Sequence, residues 1–150
     1  MADLHIDDFY FDIGLTLSRL YASFPRRCTI YVADISGPDT PDEFGVQSER
    51  FLSCFSAMLW LRDQDYILFD SVIRQEAIDQ AVLTENSFLI LSSQASVQPL
   101  DAFTTEGLPS SVAEKAITNI NMLRRALINQ SSIEISRIVF HMMEQSRQHR

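Results

Sequence analysis

Apolar residues recur at helical spacing from Asp7 to Phe24 and predict a long amphipathic first helix. The main stripe consists of Phe9, Ile13, Leu17, Leu20 and Phe24. Phe11 and Leu15 form a second apolar side, and Pro25 ends the helix. A helix that is apolar on two sides has to be covered on both of them.

The next segment predicts a strand followed by two helices. Residues 28–35, "CTIYVADI", are rich in β-forming residues and predict a strand. "TPDE", residues 40–43, predicts a capping box at the start of a short second helix that Gly45 ends. Ser48 is the predicted N-cap of a third helix over residues 49–61. Two helices joined by a tight turn predict a helix-turn-helix.

A β-hairpin is predicted after the third helix. Polar residues 62–65 form a hinge between Trp60-Leu61 and two β-like segments, "YILFDSVI" and "IDQAVLT". Arg74, Gln75 and Glu76 lie at the predicted hairpin tip, and Thr84 is the predicted N-cap of the helix that follows. Helix, hinge, hairpin and helix follow one another in the order of a winged helix.

The C-terminal part predicts two more helices after a polar loop. Capping boxes at Ser111 with Glu114 and at Ser131 with Glu134 precede apolar stripes at helical spacing, the first extending from Val112 to Leu127. We therefore expect an α+β fold in which residues 1–92 form a winged helix, with a three-helix core and a β-hairpin wing. We expect residues 93–109 to form a linker and residues 110–150 to form a C-terminal helical hairpin that mediates dimerisation.

Charge is distributed unevenly along the chain. The net charge is −8, but residues 1–107 carry −11 and residues 108–150 carry +3. An acidic body argues against strong electrostatic capture of DNA, which needs Lys and Arg at the phosphates. The basic tail suggests docking on an acidic surface, in its own chain or in another, although solvated arginines would explain it equally well.

Composition and motifs exclude several classes of protein. No apolar run approaches the roughly 20 residues of a membrane span, and the acidic N-terminus fits neither a signal peptide nor a transit peptide. Cys28 and Cys54 lie in apolar surroundings and are interpreted as reduced core residues, so we expect a cytoplasmic protein. The pattern contains no catalytic triad, P-loop or metal-ligand spacing. We expect neither an enzyme nor a cofactor or metal site.

The stretch "SAMLWLRDQDYILFDSVIRQEAIDQAVLTENSFLIL" resembles the latter half of winged helix-turn-helix domains of bacterial regulators. With the first helix and "TPDEFG" included, the resemblance covers about residues 7–92, and the chain looks like a bacterial or phage winged-helix family with an added helical tail. The resemblance implies a DNA-binding transcriptional regulator whose third helix enters the major groove while the wing contacts the backbone or minor groove. The DNA-contacting residues that it implies are Gln47, Ser48, Arg50, Ser53, Ser56, Arg74 and Gln75.

This sequence departs from a strong DNA binder in its charge. The third helix has no Lys, Glu49 offsets Arg50, and Glu76 follows Arg74 in the wing. The alternative function is an acidic winged-helix module that binds another protein without DNA. Trp60 is then a candidate anchor for the partner, because tryptophan is enriched at interface hot spots. It could instead pack under the hairpin.

Surplus apolar surface predicts a homodimer. Phe11 and Leu15 on the first helix and Ile133 and Phe140 on the last helix lie off the main apolar stripes. Two chains related by a two-fold axis would bury these residues. The alternative is that the tail folds back and covers the first helix within one chain.

Overall fold

The computed structural model describes residues 3–97, 107 and 109–148, without the side chains of residues 114–116. These residues form a mixed α+β fold with seven helices and a small four-stranded antiparallel sheet. The helices are α1 (Leu4–Ser23), α2 (Val32–Ser36), α3 (Glu49–Asp63), α4 (Glu85–Ser92), α5 (Ser110–Ala116), α6 (Asn119–Ile128) and α7 (Ser132–Gln148). The strands are β1 (Cys28–Tyr31), β2 (Ile67–Leu68), β3 (Ser71–Ile73) and β4 (Ala77–Leu83).

Strand β4 is the centre of the sheet. It pairs with β1 on one side and with β2 and β3 on the other. Ile78 lies opposite Ile30 of β1 and Val72 of β3, and both isoleucines are buried in the core. The turn between β3 and β4 is closed by a 2.7 Å hydrogen bond from the Glu76 N–H to the Ile73 carbonyl. The predicted hairpin with its tip at Arg74 and Gln75 is therefore confirmed.

The prediction for residues 28–45 is wrong in two places. Strand β1 ends at Tyr31, and the helix α2 replaces the second half of the predicted strand. "TPDE" does not start a helix, because the Asp42 carboxylate accepts the backbone N–H groups of Phe44 and Val46 and closes a turn instead. Such local side-chain bonds offer the backbone an alternative to the helix. A loop over residues 37–48 therefore connects α2 to α3 in place of the predicted tight turn.

Two predicted helix caps are confirmed at the flanks of the hairpin. The Ser48 Oγ accepts the Phe51 N–H at the start of α3, and the Thr84 Oγ1 accepts the Ser87 N–H at the start of α4. Each cap satisfies one of the backbone donors that a helix leaves unpaired at its first turn. The predicted hinge over residues 62–65 is confirmed only in its second half, because α3 continues to Asp63 instead of ending at Leu61.

The helix predicted from Val112 to Leu127 is broken in two. The Ile117 carbonyl accepts the Ala95 N–H, and the Ser93 carbonyl accepts the Asn119 N–H, so this part of the tail pairs with the segment after α4. Most of the predicted linker, residues 98–106 and 108, lies outside the described residues. The same is true of the Glu114 side chain in the Ser111 capping box. One of the two hydrogen bonds of the capping box predicted at Ser131 is confirmed, because the Ser131 Oγ accepts the Glu134 N–H.

Helix α1 is the centre of the molecule, with α3 packed on one side and α6 and α7 on the other. Gly14 allows the close approach of the tail helices, because a Cβ built there would lie 3.0 Å from Leu123 Cδ1 and 3.4 Å from Val139 Cγ2. The tail thus covers part of α1 within the same chain. This arrangement is the one that the sequence analysis gave as the alternative to a dimer. One buried cluster includes residues from both sides of residue 92.

Candidate functional site

A groove of about 480 Å³ lies between α1 and α3. Residues at helical spacing on both helices form its two walls. The lining consists of His5, Ile6, Phe9 and Asp12 from α1 and of Glu49, Leu52, Ser53, Ser56, Ala57 and Trp60 from α3. The groove therefore runs between the faces of two helices and has a mainly apolar surface.

Trp60 is held at one end of this groove by two other aromatic rings. Its ring lies edge-on to Phe9, with the ring centroids 5.1 Å apart and the planes at 78°. On its other side it stacks on Tyr66 at 5.9 Å, and Tyr66 is buried. The indole is thus partly buried against α1 and the hinge, with part of its surface in the groove. Trp60 thus packs against Phe9 of α1 and against Tyr66 after the hinge, and its role as an anchor for a partner stays a prediction.

The guanidinium of Arg50 points towards α1 and forms a bidentate ion pair with Asp12. Arg50 Nη2 lies 2.6 Å from Asp12 Oδ1, and Nη1 lies 2.8 Å from Oδ2. Asp8 adds a longer contact, with its Oδ2 3.6 Å from Arg50 Nε. Asp12 is only 1% exposed. This network links α1 to the first turn of α3 beneath the groove.

Burial dominates the electrostatics of this network. Desolvation raises the pKa of Asp12 above its ordinary value, although the hydrogen bonds and charge of Arg50 oppose that shift. The same hydrogen bonds raise the pKa of Arg50, which stays charged. Desolvation together with the neighbouring Asp12 raises the pKa of the Cys54 thiol to about 12. A thiol that stays protonated is a poor nucleophile, so Cys54 is a packing residue.

The structure separates the residues that the resemblance implied for the major groove. Ser53 and Ser56 are exposed and line the α1–α3 groove. Ser48 caps α3, and Arg50 is bound to Asp12. The Oε1 atom of Gln47 is buried and finds no hydrogen-bond partner among the described residues. Two of the five predicted positions on and before α3 therefore present their side chains together on one open surface.

The predicted wing residues lie at the exposed tip of the hairpin. Arg74 and Gln75 both have left-handed backbones, with φ of 53° and 68°, so they occupy the two central positions of the turn. Carboxylates of Asp70, Glu76 and Asp79 lie in the same hairpin, and Arg27 pairs with Asp70 at 3.7 Å. The hairpin thus carries more acidic than basic residues.

Four residues outside α3 were also predicted to bind a partner. Two of them belong to α1 and two to α7, and none of them lines the α1–α3 groove. Phe11 and Leu15 are partly buried and line a second groove with Leu127 of α6. Ile133 and Phe140 of α7 are 73% and 46% exposed and line an adjoining groove. Both grooves include Asp7 and Ser132, so these predicted residues share one continuous side of the molecule.

Sequence reasoning missed the contribution of α1 to the candidate site. Asp8 and Asp12 lie four residues apart on α1, and Asp12 falls between the apolar residues Phe11 and Ile13, so this spacing could have indicated a basic partner inside the fold. His5 and Ile6 gave no comparable signal, because only the approach of α3 makes them part of a groove.

Within residues 3–97, 107 and 109–148, no helix is both long enough and apolar enough to cross a bilayer. No three His, Cys, Asp or Glu side chains in the same part of the chain converge as metal ligands. Comparisons of the chain with protein-family models, with curated proteins and with solved structures found no match.

Proposed function

We propose that this chain is a winged-helix module that binds another protein through the groove between α1 and α3. The observation that carries the proposal is the open, largely apolar groove on the face of α3, at the end of which Trp60 is held by Phe9 and Tyr66. Partly buried aromatic residues of this kind are frequent binding hot spots, since they are rigid and lose little entropy on binding.

The position of Arg50 supports a protein partner over DNA. Phosphate binding requires Lys or Arg side chains that can reach the backbone. Arg50 is the only basic residue in the first half of α3, and Asp12 and Asp8 already bind its guanidinium. Glu49 is exposed beside it and would repel phosphates.

A DNA-binding regulator is the second candidate, and one observation favours it. The order of α3, hinge, hairpin and α4 is that of a winged helix, with Ser53, Ser56, Arg74 and Gln75 all exposed. Small polar side chains on a helix in the DNA major groove are compatible with contacts to bases. A cation at the wing tip is compatible with contacts to the DNA backbone.

DNA binding is the first property to measure. The assay is fluorescence anisotropy of a labelled mixed-sequence duplex of about 30 base pairs, over about 20 to 200 mM salt. The protein-binding proposal predicts no change in anisotropy at the lowest salt. Binding that falls steeply with salt and is weakened by Arg74→Ala would replace it with the DNA-binding regulator.

A photo-crosslinking amino acid tests the groove directly. Placed at Ser56 and expressed in the native host, it should form an adduct with a protein, whereas the same group at the exposed Ser110 of α5 should not. The adduct at Ser56 should disappear with Trp60→Ala. Equal adducts at both positions would contradict the groove as the binding surface.

We also propose that the chain forms a homodimer through the side of α1 and α7 that carries Ile133 and Phe140. In a two-fold dimer the same surface meets its own copy, so it has to be self-complementary. The groove lined by these two residues contains an acid, Asp7, and a base, Arg137, beside its apolar side chains. A surface with charges of both signs and an apolar centre fits that requirement.

A further inference from the structure

We propose that the occupant of the α1–α3 groove is a basic amphipathic helix of about three turns. This inference rests on the proposed protein-binding function and specifies the chemistry of the partner. It follows from the shape of the groove, from the way its aromatic residues are oriented and from the charges around it.

The shape of the groove favours a helix. Its α3 wall extends from Glu49 to Trp60, which corresponds to about 16 Å of helix axis at about 1.5 Å per residue. Side chains of two helices form both walls, and no free strand edge is among them. An extended peptide therefore could not add to a sheet through backbone hydrogen bonds. A furrow between two helices accepts the apolar stripe of a third helix, with anchors at i, i+3, i+4 and i+7.

The orientation of the aromatic rings disfavours a proline-rich ligand. Polyproline segments dock between aromatic side chains in a groove. Here Tyr66 stacks along one side of Trp60, and Phe9 meets the indole edge-on at 78°. Trp60 is therefore only partly accessible from the groove, which suits a single aliphatic or aromatic anchor from a helix.

The charges around the groove favour a basic partner. Asp8 and Asp12 on α1 share one cation, Arg50. Glu49, at the start of α3, adds a further carboxylate to the groove, so acids outnumber bases in this part of the surface. Asp8 and Glu49 are accessible to solvent at the surface of the two helices. Because residues 1–107 carry a net charge of −11, lysines or arginines flanking the apolar stripe would be attracted both locally and at longer range.

The test is a selection from a random, tryptophan-free peptide library displayed on phage, with the full-length protein as bait. We expect the enriched peptides to be positively charged and to carry an apolar stripe at i, i+3 or i+4, and i+7. Because Trp60 is the single tryptophan of the chain, its emission reports occupancy of the groove. Synthetic versions of the peptides should shift this emission and gain helical circular dichroism on binding.

Two pairs of neutral substitutions locate the binding site. Ser53→Gln with Ser56→Gln fills the groove with long polar side chains and should weaken binding at least tenfold. Ser110→Gln with Ser111→Gln makes the same change at exposed positions of α5 and should leave the affinity unchanged. Glu49→Gln should weaken binding several-fold, since it removes one attractive charge without blocking the groove.

The outcomes separate this inference from the proposed function. Enriched peptides that bind in the groove but are acidic or proline-rich would overturn the basic helix while leaving a protein-binding groove intact. Basic helical peptides that are insensitive to Ser53→Gln with Ser56→Gln would overturn the groove itself. No enrichment at all would contradict the helical occupant, and the crosslinking at Ser56 would then decide the proposed function independently.

Discussion

At the scale of single residues, the feature that distinguishes this chain is the bidentate ion pair between Asp12 of α1 and Arg50 of α3. It places a carboxylate that is 1% exposed between two helices and binds the cation that a DNA-binding surface would need. A buried charge is tolerated when its partner and its hydrogen bonds compensate for the lost hydration. Arg50 is thus a structural residue whose identity can be tested through stability.

We expect Arg50→Ala to lower the free energy of unfolding by about 2–3 kcal/mol, because it leaves the Asp12 carboxylate buried and unpaired. Because the Arg50 side chain is partly exposed, this effect is smaller than the roughly 3–5 kcal/mol expected for a fully buried pair. Urea denaturation measures the change. Arg19→Ala, at an exposed position of α1, is the control and should change stability by no more than about 0.5 kcal/mol. Equal effects of the two substitutions would contradict the structural role.

The pKa of Asp12 predicts a specific dependence of stability on pH. Desolvation raises the folded-state pKa above the unfolded value of 3.8, so the folded protein holds this proton more tightly. The resulting stabilisation is fully present below pH 3.8 and is lost as the pH rises through the folded-state pKa. The free energy of unfolding of the wild type minus that of Asp12→Asn should therefore fall as the pH increases from about 4.

Denaturant titrations of both proteins over this pH range test the sign. A difference that grows with pH would show instead that Arg50 stabilises the carboxylate more than burial disfavours it. In the Arg50→Ala background, which lacks the opposing effect of the guanidinium, the fall should extend to higher pH.

At the scale of elements, the hairpin tip shows a sequence that is not optimal for its turn. Arg74 and Gln75 both adopt left-handed conformations, which Asn and Gly adopt more easily. Residues kept in such conformations are often functional. The hairpin was nevertheless predictable, because β-forming segments on both sides of the short polar tip specify it.

We expect Gln75→Gly to raise the free energy of unfolding by about 0.5–1 kcal/mol, since glycine relieves the left-handed strain. Ser71→Gly, in the extended strand β3, is the control and should lower stability. Thermal and urea unfolding measure both changes. A loss of stability in Gln75→Gly would mean that the Gln75 side chain contributes contacts that outweigh the strain.

The failed prediction at "TPDE" is also an effect at the scale of elements. A capping box and an Asp-centred turn use the same few residues, and the Asp42 carboxylate binds the Phe44 and Val46 N–H groups before a helix can form. Helices this short are not stable by themselves, so local hydrogen bonds decide between the two structures. Periodicity alone could not distinguish them.

At the scale of the whole molecule, the packing of the tail on α1 depends on Gly14. Gly14→Val would place methyl groups where Leu123 and Val139 now lie, within 3.0–3.4 Å of the new Cβ. We expect it to lower the free energy of unfolding by about 1–3 kcal/mol through overpacking. Circular dichroism during urea unfolding measures the loss. An unchanged midpoint would contradict the close packing of α1 against α6 and α7.

The proposed dimer predicts a species of about 34 kDa, twice the 17.1 kDa of one chain, in sedimentation or light scattering at about tens of micromolar. Ile133→Asp with Phe140→Asp should give the monomer, because charges would face each other across the apolar centre of the interface. Leu89→Asp, at another exposed apolar position, should leave the dimer intact. A wild-type mass near 17 kDa would contradict the proposal.

The sequence by itself determined the elements whose signals are local. Helix α1, the caps at Ser48 and Thr84, the hairpin tip and the α+β class follow from periodicity, capping residues and turn composition, all of which act within a few residues. Only the tertiary structure decided that Asp12 binds Arg50, that the tail covers α1 in the same chain and that α1 and α3 enclose a groove. These features join residues that are far apart in the chain, and their energies come from burial and charge pairing that exist only after the helices pack.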